Sequence, residues 1–195
     1  GMCISADIVR EFGWGCDCLT EDMEFSMKCL SHGIRTCWVH DAIIYDEKPL
    51  TFMASWRQRK RWAQGQFDCS ERYIPILMKE GFKRHSIVVL DGIMQLLQNY
   101  FLLISAFYLV MTYINMFYPC FTVVLYNDAL VPRQFWSVLG TIQYVLPLIV
   151  LLQIEVPAKI YLYWLIYPVF MYSWVPVTFL GWIHRHEKQW VHTIH

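Results

Sequence analysis

The 195 residues suffice for one or two ordinary domains, but 56% of them are hydrophobic and only 16% charged, against roughly 25% charged in soluble domains. Twelve of the sixteen Lys/Arg and thirteen of the sixteen Asp/Glu precede position 92, so the zero net charge averages two unlike halves. A single soluble domain is excluded, and a polar front followed by a membrane-like rear is expected.

Gly1 to Arg10 carries Asp7 and Arg10 and lacks an apolar core, so it does not read as a signal peptide. The chain is expected to start in mid-domain, as a piece of a longer protein. Ser5 is placed to cap a helix that runs to about Glu11 and stops at Gly13. A loop over Trp14–Leu19 follows. Thr20 then caps a second helix, with Glu21, Asp22 and Glu24 in its first turn, where the helix dipole favours acids, and Gly33 at its end. The alternating run Arg35–His40 and the apolar run Ala42–Tyr45 predict two strands of one sheet.

From Thr51 the pattern is helical again, with a break expected at Gly65 and a basic amphipathic stretch beyond it. That stretch sets Phe67, Tyr73, Ile74, Leu77 and Met78 against Arg72, Lys79, Lys83 and Arg84, as suits a helix lying in a membrane interface. Three charge-free stretches follow, Gly92–Asn127, Gln134–Ile154 and Ile160–Ile183, each near or above the roughly 20 residues needed to cross a bilayer core. Basic residues before the first place the front half in the cytoplasm. Pro168 and Pro176 leave two topologies open: three crossings, or a bent third element that returns the tail to the cytoplasmic side. The seven cysteines show no C-x-x-C pair and read as reduced thiols. His184 and His186 lack neighbouring acid or thiol ligands, so no metal site is expected in this chain.

Two motifs carry chemistry. Glu21 and Asp22 are either helix-start acids only, or a fixed carboxylate able to take a proton from an acceptor hydroxyl. The second motif is Trp56-Arg57-Gln58-Arg59-Lys60-Arg61-Trp62. Arg57, Arg59 and Lys60 are explained as membrane anchors, but Gln58, Arg61 and Trp62 share one helical face as an amide, an anion clamp and a stacking platform.

The order Thr20-Glu21-Asp22, about forty residues, Gln58-x-x-Arg61-Trp62, an interface helix and apolar spans resembles the processive family-2 glycosyltransferases, which include cellulose, chitin, hyaluronan and poly-N-acetylglucosamine synthases. The resemblance covers roughly the whole chain. It implies an α/β front, residues 1–64, forming the C-terminal part of a GT-A nucleotide-sugar transferase domain. An amphipathic interface region (65–91), about three transmembrane helices (92–183) and a short polar tail (184–195) would follow.

It further implies that Asp22 is the catalytic base with Glu21 beside it, and that Gln58 and Arg61 meet the donor diphosphate. Trp62 would floor the acceptor sugar site, and Trp190 and Thr193 in the tail would contact the active site. The expected partners are a nucleotide-sugar donor, a carbohydrate acceptor, the lipid bilayer and the missing N-terminal half, with no nucleic acid. That missing half would hold Mg or Mn through an Asp-x-Asp motif absent here, so this chain alone is expected to be inactive. Ceramide-type glucosyltransferases resemble the same motif pair, which keeps a lipid acceptor open. A non-catalytic membrane subunit is the third reading.

Overall fold

The computed structural model describes residues 1–84, 86–118, 133–154 and 156–187. They form α1 (Ala6–Phe12), α2 (Glu21–Ser31), α3 (Phe52–Arg84), α4 (Ile87–Phe117), α5 (Arg133–Leu151), α6 (Lys159–Trp164), α7 (Tyr167–Tyr172) and α8 (Trp174–Ile183). Residues fall into two compact units, one comprising Gly1–Leu102 with the described part of Pro176–His195, the other Leu103–Val175.

The first helices follow their local chemistry. Ser5 Oγ accepts from the Asp7 amide at 3.3 Å, and Gly13, at φ 66°, ends α1 in a conformation that side chains resist. Gly33, at φ 84°, plays the same part after α2.

The expected α/β architecture is not found: among the described residues there is no strand. Residues 35 to 45 are exposed throughout, with local bonds such as Ala42 N–H to Val39 O. β propensity expresses how well a side chain fits a pleated, half-buried surface. Nothing in the described residues supplies that surface, so Trp38 and Tyr45 stand in the open.

The expected three spans also need correction. Of the described helices, one, Ile87–Asn115 within α4, is long and apolar enough to cross a membrane. In α5 the apolar part shrinks to Val138–Leu151. The third stretch is divided among α6, α7 and α8, of 6, 6 and 10 residues. Pro168 lies in the first turn of α7, where its missing N–H costs no helical bond.

In the first unit α3 is the scaffold. It runs 33 residues through Gly65 without the expected break, and Pro75 does not interrupt it. The core beside it gathers Cys18, Met27, Cys69, Leu77, Val89 and Leu96. Gly92 lets α4 approach both α2 and α3: a Cβ there would collide with Leu30 and lie 3.7 Å from Leu77 Cδ1. Ser70 Oγ donates to Leu96 O at 2.9 Å, and Gln66 Nε2 donates to Gln95 O at 2.9 Å. The end of α8 closes on α3 as well, where a Cβ on Gly181 would stand 2.5 Å from that of Ala63.

The second unit centres on Trp164, which stacks on Tyr167 at 4.3 Å and meets Tyr144 at 5.0 Å. Beside it runs an apolar groove of about 780 Å³, lined by Leu146, Val150, Ile160, Tyr163 and Phe170 among others.

Candidate functional site

The start of α2 is seated on α3. A Cβ at Gly65 would stand 2.6 Å from Thr20 Oγ1 and 2.8 Å from the Thr20 backbone nitrogen. Helix geometry places Gly65 four residues beyond Arg61 and seven beyond Gln58, on the same side of α3. The turn carrying Thr20, Glu21 and Asp22 therefore rests at the end of the stripe that carries Gln58, Arg61 and Trp62.

Thr20 itself does not cap α2 as expected; its hydroxyl makes no cap bond and is buried. Packing against Gly65 has taken the place of capping. Glu21 and Asp22 are exposed, and Asp22 Oδ1 accepts from the Met23 amide at 2.7 Å. Gln58 and Arg61 are half-buried, while Trp62 keeps 39% of its surface exposed. The site is thus an open face, with a carboxylate turn at one end and an indole and a guanidinium along it.

Of the three anchoring cations, Arg59 departs from expectation. It is 2% exposed, its Nε donates to Ser55 O at 3.3 Å, and its guanidinium lies 5.7 Å from the Phe52 ring centre. Desolvation by burial pushes its pKa down. Arg59 belongs to the packing of α3, whereas Arg57 is exposed.

Under the turn lies a buried polar cluster that the sequence reading missed. Glu24, 2% exposed, accepts from the Asp17 and Cys18 amides, both at 2.7 Å, through Oε2. Its Oε1 meets Arg72 at 3.4 Å, and Arg72 also grips Asp68 with two bonds of 3.0 and 2.9 Å. Arg72 was expected on the solvated side of an interface helix, but it faces α2. The i, i+4 spacing of Asp68 and Arg72 was the signal available. The Cys18 thiol is pushed up by its hydrogen bond to Cys69 and by burial. Burial, aided by Glu24, raises Cys16 to about 11 and Tyr73 to about 12.

Trp190 and Thr193 lie outside the described residues. The segment leading towards them is tied to α3: Gln64 Nε2 donates to His184 O at 2.8 Å, and Arg185 pairs with Glu71 at 2.6 Å. Among the described residues no three His, Cys, Asp or Glu side chains gather in a way that could hold a metal ion. The Mg or Mn implied by the resemblance therefore has no fitting site among the described residues.

The family model described as glycosyl transferase family group 2 matches residues 1–182, which takes in both motifs. The chain belongs to this family. Group 2 members are glycosyltransferases, whose substrates are a nucleotide-sugar donor and an acceptor. No curated protein and no solved structure matches the chain.

Proposed function

We propose that this family-2 chain carries the acceptor side of an inverting glycosyltransferase that extends a polysaccharide, as in the processive branch of the family. The observation that carries the reading is the seating of Thr20 on Gly65, which joins the carboxylate turn to the Gln58, Arg61 and Trp62 face. Asp22 takes the proton of the acceptor hydroxyl. The freed oxygen attacks the anomeric carbon, and the bond from that carbon to the diphosphate breaks. The diphosphate leaves with the electron pair, held by Arg61 and Gln58. Glu21 flanks the base. Trp62, with its open ring, stacks under the acceptor sugar. The length and apolarity of α4 support membrane integration, with the basic α3 on the cytoplasmic side.

The apolar groove of the second unit favours a second reading, a lipid acceptor that receives one sugar. Membranes holding the protein expressed from its complete reading frame, supplied with radiolabelled nucleotide sugars, separate the two. High-molecular-weight label supports the polymerase, organic-extractable label supports the lipid transferase, and neither product contradicts both.

A further inference from the structure

We propose that Glu24 is a positioning residue for the transfer reaction, anchoring the loop that enters the Thr20–Asp22 turn and coupling that turn to α3 through Arg72. The inference rests on the role proposed for Asp22. Three observations support it, beginning with burial. The Glu24 side chain is 3% exposed, and a carboxylate withdrawn from water so far is costly unless its charge and lone pairs are satisfied.

Second, the satisfaction is divided between two elements. One oxygen accepts from two consecutive backbone amides of the loop, Asp17 and Cys18, and the other faces Arg72 of α3. Glu21 and Asp22, in the same first turn, remain at the surface. Third, Arg72 does not face Glu24 alone. Its two-pronged hold on Asp68 fixes the guanidinium on α3, so the loop is referred to the same helix that bears Gln58, Arg61 and Trp62. Asp22 lies two residues before Glu24, in the same first turn, and inherits that reference.

E24Q keeps the side-chain volume but presents an amide donor towards Arg72 or towards the two loop amides, so one half of the link must fail. In the protein from its complete reading frame, kcat for transfer should fall by about tenfold to about a hundredfold, with the donor KM within about twofold. Labelling of Cys18 by N-ethylmaleimide, followed by mass spectrometry, should quicken by about tenfold or more as the loop opens. E24D, which keeps the charge on a shorter arm, should fall between E24Q and wild type in both readouts and serves if E24Q does not accumulate. D22N should lose turnover with Cys18 labelling unchanged. Wild-type kcat in E24Q, or Cys18 labelling unchanged in it, would overturn the positioning role. Retained turnover in D22N would instead remove the base assignment, and the labelling result would then decide the loop anchor by itself.

Discussion

Gly65 lacks a side chain in the middle of a 33-residue helix, a position where glycine is disfavoured relative to alanine by about 1 kcal/mol. It is accommodated there because Thr20 occupies the space a Cβ would take. G65A must displace backbone as well as the Thr20 side chain, since the Thr20 nitrogen, at 2.8 Å, lies nearly as close as Oγ1 at 2.6 Å. A loss of about 1–3 kcal/mol in thermal or denaturant unfolding is expected, as for an overpacked core, together with reduced transfer. Unchanged stability in G65A would mean that the turn does not sit on α3. This contact was not legible in the sequence, where Gly65 signals a helix break and Thr20 a cap; both readings are local, and a contact forty-five positions apart overrode them. Ser5, Gly13 and Gly33 act through bonds or dihedral angles within a few residues, so their roles could be read directly. Glu24 illustrates the opposite case: the sequence shows one more acid in a first turn, and only packing shows which of the three is buried.

At the scale of elements, α2 and α3 form the part of the molecule that binds the motifs together, and the loop before α2 touches both, through the Asp17 and Cys18 amides on Glu24 and through Thr20 on Gly65. Cys16 on that loop and Tyr73 on α3 both have their protonated forms favoured, first by burial and then by the Glu24 charge. Their folded pKa values, about 11 and about 12, lie above the ordinary 9.0 and 10.0. The unfolded chain therefore releases these protons first as pH rises. The stabilisation is complete below pH 9 and is lost towards pH 12. Melting temperature followed from pH 8 to pH 12 should decline across this window, and C16S should flatten its lower part; a level profile would contradict the packing of this loop. The two strands expected over residues 35 to 45 mark where the element scale was misread. Alternation and β-branched residues describe how a segment fits a sheet, and the described residues offer it none.

In the molecule as a whole, the charges are concentrated before the apolar helices. Counting charge-free residues overstated the number of spans among the described residues, because a stretch without charge need not form one continuous helix, and the third is divided among α6, α7 and α8. The helix α4 retains both the length and the apolarity to cross a bilayer. The family match from residue 1 to residue 182 covers polar and apolar parts alike, in accord with motifs that lie on α2 and α3 while the chain continues into α4. The role proposed for Asp22, at the start of α2, is that of the base of sugar transfer. The direct measurement is the initial rate of label transfer from a nucleotide sugar by D22N and wild type, at equal protein in the same membranes. A fall of about a hundredfold or more is predicted for D22N, the scale of a lost general base, and a rate within about threefold of wild type would contradict the assignment.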